Sequence, residues 1–242
     1  MFLRKLSERS AAQKAQARGA LTGKYGIAVA SNICYLIASL LLPQLVLALA
    51  PGSGVLYLIC SAILLFVSMV FVGVLQGGLC YIYLNILFDQ PTTFTDLFYL
   101  FRENHDKAFR IQTALTGITF ACMLPELLGL LLFPGSDPAS SAIRILLSLA
   151  GMIALLYFDL RYAMSYYLLL DFPEMDALAI LRRSRLLMQG RKRALLYLRL
   201  SFLPLYLIGL LSCGIGCLWV MAYQYETSAA FYSETVAGPQ GG

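Results

Sequence analysis

"VLYLICSAILLFVSMVFVGVLQGGLCYIYLNIL", residues 55–87, contains no charged side chain. A helix rises 1.5 Å per residue, so this stretch would run about 50 Å. A bilayer's hydrocarbon core is about 30 Å thick and takes about 20 apolar residues. One crossing does not use the segment up, and it is expected to tilt or to project beyond the membrane. Moving outward, no charge lies between Lys24 and Asp89. Pro51-Gly-Ser-Gly54 divides that region, because Pro/Gly clusters mark turns. Span 1 is therefore expected at 25–50 and span 2 at 55–87. Similar charge gaps place span 3 at 108–133, ended by Pro134-Gly-Ser-Asp-Pro138, span 4 within 141–170 and span 5 at 194–221.

The whole chain agrees with this reading. Its 242 residues are 60% hydrophobic and 13% charged, with a mean hydropathy of +0.75. A soluble domain is about half apolar and roughly a quarter charged. The net charge of +5 would suit a nucleic-acid binder, but in a membrane protein such an excess belongs to cytoplasmic loops. Base-stacking aromatics are missing from the most basic stretch, residues 174–193, so no nucleic-acid partner is expected. The expected architecture is an all-α polytopic membrane helix bundle, with about five transmembrane helices and cytoplasmic amphipathic helices. It divides into a basic segment 1–24, a bundle 25–223 with interfacial helices near 93–106 and 172–190, and a polar tail 224–242.

Lys and Arg set the orientation. The N-terminal segment carries Arg4, Lys5, Arg9, Lys14, Arg18 and Lys24. The loop between spans 2 and 3 carries Arg102, Lys107 and Arg110. The loop between spans 4 and 5 carries Arg182, Arg183, Arg185, Arg191, Lys192 and Arg193, and the tail after Met221 carries none. Basic loops stay inside. An inside N-terminus and five spans predict an outside C-terminus. Ala48-Leu-Ala50 resembles a cleavage site, but the apolar run is longer than a signal core and Pro51 follows it, so span 1 is expected to be retained.

The six-residue basic cluster has a local logic. Asp171 is placed to cap a helix, Pro173 suits its first turn, and Glu174 and Asp176 suit the positive end of its dipole. Ala177, Ile180, Leu181, Ser184, Leu187 and Met188 recur at one-face spacing, and Gly190 is a natural stop. A basic amphipathic helix beside a span is expected to lie in the interface, with its arginines on anionic headgroups. The inside-loop rule alone accounts for the charge equally well. A second interfacial candidate carries Phe94, Leu97, Phe98 and Phe101 on one face.

Catalytic signals are sparse. The chain has no GxSxG, no P-loop and a single histidine, His105. Its six cysteines (Cys34, Cys60, Cys80, Cys122, Cys213 and Cys217) lie in apolar spans without metal-ligand spacing, so they read as packing residues and no cofactor is expected. Gly73-Val-Leu-Gln-Gly77 is a GxxxG that permits close helix approach. Polar groups inside the spans are more informative. Glu126 and Arg144 count to similar depths across the hairpin of spans 3 and 4, so they are expected to pair. Asp159 and Arg161 are further intramembrane candidates, and Asn32, Gln44, Gln76 and Asn85 add neutral ones. Pro43, Pro125 and Pro204 are possible helix breaks.

Four pieces carry a family resemblance: "SRLLMQG" at 184–190, "LSF" at 200–202, "GIGCLW" at 214–219 and "TSAAFY" at 227–232. With "ARGALTGKY" at 17–25, they resemble the bacterial integral-membrane family called domain of unknown function 975. The chain departs from its pattern in lacking a Trp soon after Phe202 and in having Ala222 before Tyr223, where a Pro is usual. The resemblance implies a multi-span protein of a bacterial plasma membrane and no activity. The leading functional expectation is a non-catalytic component that binds membrane lipids or a protein partner. The alternative is a small-solute or ion permease; no motif supports an enzyme.

Overall fold

The structure, a computed structural model, describes residues 2–49, 54–135, 137–212 and 214–238, with side chains from Leu6 onward. Among these residues the regular elements are helices: α1 (Phe2–Leu21), α2 (Tyr25–Ala48), α3 (Gly54–Leu87), a 3₁₀ turn (Phe94–Phe98), α4 (Tyr99–Arg102), α5 (His105–Leu132), α6 (Pro138–Tyr162), α7 (Ser165–Asp171), α8 (Ala177–Leu187), α9 (Lys192–Leu200), α10 (Leu203–Leu211) and α11 (Ile215–Ala237). The protein is an all-α bundle. Among the described residues five stretches are long and apolar enough to cross a membrane: Tyr25–Ala48, Gly54–Leu87, His105–Leu132, Pro138–Asp171 and Lys192–Leu211. The expected turn at 51–53, and the expected roles of Arg4, Lys5, Cys213 and the last four residues, fall outside the described structure.

Three antiparallel hairpins form the frame: α2 with α3, α5 with α6, and α10 with α11. Small residues let them close. A Cβ on Gly151 would meet the Cys122 carbonyl at 2.6 Å, and one on Gly209 would meet the Cys217 nitrogen at 2.9 Å. The Gly73/Gly77 pair serves the same end inside the molecule, where added Cβ atoms would strike Gln112 at 2.0 Å and Leu100 at 2.4 Å. Pro43 and Pro125 lie within helices. Pro204 stands in the first turn of α10, just past the break that separates it from α9, a position where its missing N–H costs nothing.

One end of the bundle is broad and polar. There the 3₁₀ turn, α4, α7, α8, α1 and the second half of α11 surround the second half of α3. Leu79, Ile82, Tyr83 and Ile86 of α3 share a single core with Leu97, Leu100, Leu168, Ile180 and Leu21. Tyr81 stacks on Tyr99 with ring centres 3.9 Å apart, and Tyr83 stacks on Tyr225 at 5.4 Å. The first half of α3 differs: Val55, Leu56, Leu58, Ile59, Ile63 and Val67 are exposed. The exposed apolar belt continues through Leu40 and Leu45, Leu131 and Leu132, Leu146 and Ile153, and Leu207 and Leu211. The excess length of α3 is therefore a projection into a protein layer.

Two expectations need correction. The fifth span does not run unbroken from 194 to 221. It breaks after Leu200, ends at Leu211, and a turn at Gly214 (φ 83) sends α11 back along α10. The end of α11 consequently lies beside the N-terminal helix. Gln13 donates to Glu234 at 2.5 Å, the Arg191 guanidinium donates to the Thr235 carbonyl at 2.9 Å, and Tyr223 donates to the Lys14 carbonyl at 3.2 Å. Residues 224–237 are thus a packed helix, and the described C-terminal end shares the basic end with α1 rather than lying across the bundle from it. Their polarity misleads because part of it faces inward: Glu226, Thr227 and Thr235 are all buried. The second correction is the start of α8. Asp176 caps it, accepting from the Leu178 N–H at 3.3 Å. Asp171 instead ends α7 and accepts from the Tyr232 hydroxyl at 2.5 Å. Gly190 does close this segment in the left-handed region, at φ 76.

Candidate functional site

The hairpins α5–α6 and α10–α11 stand apart, and a cleft opens between them. Gln76 of α3, Gln112 of α5 and Tyr166 of α7 supply its floor. One lobe, of about 430 Å³, lies against α5 and α6. A second, of about 300 Å³, lies against α10 and α11. Gln76, Asp159 and Arg199 line both. The Arg199 guanidinium donates to the Asp159 carboxylate across the gap, joining α9 to α6. Gln76 sits where α3 passes from its exposed to its enclosed half, so the ion pair lies at the inner edge of the exposed apolar belt.

The two walls differ in character. Leu115, Ile118, Met152, Leu155 and Leu156 give the larger lobe an apolar side. The floor carries amides and hydroxyls held in place by one another. Tyr166 donates to the Gln112 carbonyl oxygen at 2.7 Å, and the Gln112 amide donates to Thr116 at 3.2 Å. In the smaller lobe Tyr206 donates to Gln224 at 2.5 Å. Such an arrangement can accept a molecule with an apolar part and a charged or hydrogen-bonding end. No Cys, His or Lys is among the described residues that line the cleft.

The structure distributes the sequence candidates unevenly. Asp159 is in the cleft. Arg161, two residues on, lies outside its lining, near the rings of Tyr157 and Tyr162 at 6.0 and 5.8 Å. Glu126 and Arg144 line one groove, as the depth count suggests. They do not form an ion pair, however: Arg144 donates to the Gly135 carbonyl at 3.2 Å and to Ser141 at 3.3 Å, bracing the turn. The six-residue basic cluster splits in half. Arg183 stacks over Phe172 at 4.0 Å, Arg191 holds the Thr235 carbonyl, and Lys192 sits over Tyr157 at 3.9 Å. Arg182, Arg185 and Arg193 are exposed. Arg182 and Arg185 share the outer face of α8 with the exposed Leu178 and Leu186.

Four residues escape a sequence reading. Arg199 was visible only as a base at the edge of a span. Its signal is a lone acid and a lone base in different spans, at similar distances from the basic end. Gln112 and Gln224 give no signal, because neutral amides occur singly in many helices. Glu226 is a third kind of case. It is fully buried among tyrosines, and neither carboxylate oxygen has a hydrogen-bond partner in the described structure.

Fold and cleft together define a class: an all-α bundle with membrane-length apolar helices and a two-lobed, side-opening cleft crossed by one ion pair. Residues 9–237 match the family described as Protein of unknown function (DUF975), and the chain belongs to that family. None of the curated proteins and none of the solved structures matches the chain.

Proposed function

We propose that the protein is a non-catalytic, lipid-binding component of a bacterial plasma membrane, with its basic end in the cytoplasm. The observation that carries this reading is the cleft. It is apolar along one wall, polar on its floor and open toward the exposed apolar belt, the shape and chemistry suited to an amphiphile. The orientation rests on the basic loops gathered at one end. The outer face of α8 adds to it: Arg182 and Arg185 with Leu178 and Leu186 suit a helix lying on anionic headgroups, each basic residue contributing about 1 kcal/mol near such a surface.

Native mass spectrometry of the full chain released from membranes tests the reading. The protein should retain lipid, and Leu156→Trp, which fills the larger lobe, should remove part of it. Lipid-free protein, or retention indifferent to the filled cleft, would overturn the proposal. Neutralising Arg182, Arg185 and Arg193 together should lower the share of anionic lipids retained while leaving the cleft-bound lipid.

A permease is the second reading, favoured by one observation: the unpartnered, buried carboxyl of Glu226. Ionisable groups inside a bundle commonly mark ion or proton pathways. Proton uptake by proteoliposomes that is abolished in Glu226→Gln would favour it over lipid binding.

A further inference from the structure

Resting on the lipid-binding reading, we infer that the cleft selects a zwitterionic lipid with a primary ammonium and a phosphate, the headgroup chemistry of a phosphatidylethanolamine. The ammonium meets Asp159 and the phosphate meets Arg199.

The argument begins with the ion pair. Asp159 and Arg199 satisfy each other and are the only charged residues lining the two lobes among the described residues. Their side chains are 56% and 31% exposed, so the pair can be reached. An anionic ligand drawn to Arg199 must displace Asp159 and leave a carboxylate without its partner. A cationic ligand drawn to Asp159 strands the guanidinium in the same way. The pair lies at the inner edge of the exposed apolar belt, and an ionisable group left unpaired beside hydrocarbon is costly. A ligand carrying both charges replaces both halves, and the site stays neutral. Arg161 and Lys192 do not tip this balance toward anions. Neither lines the cleft: Lys192 lies over the Tyr157 ring, outside the lining, and Arg161 sits near Tyr157 and Tyr162, of which only Tyr162 reaches the lining.

Hydrogen bonding narrows the class. Arg199 has five N–H donors and uses one on Asp159, so it can hold a phosphate with a two-pronged contact. Asp159 accepts only, and a primary ammonium brings it donors; a trimethylammonium brings charge without any. The side chain of Gln76, set between the lobes, makes no hydrogen bond among the described residues. Its amide is free to serve the ester region or the phosphate. Leu115, Ile118, Met152, Leu155 and Leu156 then lie along an acyl chain.

The test is a competition on the full-length protein in neutral detergent, read by native mass spectrometry. The probes are phosphatidylethanolamine, phosphatidylcholine and phosphatidylglycerol with identical acyl chains. Wild type should retain the ethanolamine lipid roughly tenfold over the other two, the factor expected from one charge-assisted hydrogen bond. Asp159→Asn frees Arg199 and should turn the preference toward phosphatidylglycerol. Arg199→Gln should disfavour phosphatidylglycerol further. Opposite shifts from two variants cannot come from a shared folding defect. Excess glycerophosphoethanolamine should not displace the lipid; if it does, the site reads the free headgroup and the lipid assignment is wrong. Equal retention of all three lipids, or a wild-type preference for phosphatidylglycerol, would overturn the inference and leave the lipid-binding reading standing. Retention of no lipid at all would overturn the reading itself.

Discussion

The two halves of α3 are both uncharged and largely apolar, and they have opposite surroundings. In the first half Leu58 is 64% exposed, and in the second Leu79 is 0% exposed. No charge separates them, although the second half also carries the amides Gln76 and Asn85. What differs is side-chain size. The second half opens on Gly73, Gly77 and Gly78, and each lets a neighbour approach where a Cβ would collide. At Gly78 that neighbour is backbone: a Cβ would stand 1.8 Å from the Leu97 carbonyl oxygen. Apolar residues that face lipid need only be apolar. Apolar residues enclosed by helices need neighbours at close range, and glycine supplies the room.

The largest test concerns the layer that encloses the second half. α11 is part of that layer only because it returns to the basic end. Cytoplasmic reporters fused before α1 and after Gly238 should both be active, since the end of α11 lies against the middle of α1 at Gln13–Glu234. One active and one silent reporter would put α11 through the opposite face, and the second half of α3 would lose its cover. Next in size is Gly78→Leu. Overpacking usually costs about 1–3 kcal/mol when side chains can give way. Here the obstacle is main chain, so the folded, monodisperse protein should vanish from size-exclusion profiles. A normal profile would mean that the 3₁₀ turn is not seated on α3.

Side-chain truncation grades the comparison. Leu79→Ala should cost about 2–5 kcal/mol, the range for fully buried leucines. Leu58→Ala should stay within about 0.5 kcal/mol, as surface changes do. Thermal unfolding in one detergent reads both. Equal losses would show that the outer half is also enclosed, by a second copy or a partner. Tyr83→Phe falls between them. It removes the hydroxyl that donates to Asn32 at 2.9 Å and leaves a buried acceptor, at about 1–3 kcal/mol.

What the sequence makes legible follows from the same contrast. Charge gaps reveal where lipid contact is required, so four of the spans are found within a few residues of α2, α3, α5 and α6. They do not reveal the turn at Gly214, because Ser212 and Gly214 look like ordinary small residues of a membrane helix. Nor do they reveal α11, whose Gln224 and Glu226 are turned inward by tertiary packing. The cleft is half legible. Asp159 stands out as a lone acid, while its partner Arg199 is lost among the basic residues that set orientation. The expected Glu126–Arg144 pair fails for a local reason: the turn's own Gly135 carbonyl lies closer to hand for Arg144.

The smallest effect lies at the basic end of α3, where packing gives way to charge. Lys24, at the start of α2, donates to Asp89 just past α3 at 2.6 Å. The Lys24 hydrogen bond, and then its charge, hold the Asp89 carboxyl below its ordinary value. A carboxylate with a lowered folded-state pKa stabilises the fold above its unfolded value, about 3.9, and loses that contribution as pH falls through the folded value. Wild type should therefore unfold at a slightly higher temperature than Asp89→Asn at pH 7 and keep that margin down to about pH 5. Below about pH 4 the two curves should converge. Asn is the right replacement because Asp89 has φ 55, a left-handed conformation that Asn tolerates. The margin should shrink in high salt, since the carboxylate is exposed and the pair is screened. A difference that persists at acid pH or in molar salt would mean that Asp89 acts through its turn geometry and not through Lys24. A margin as large as that of Leu79→Ala would overturn the division of α3 into a half held by lipid and a half held by packing.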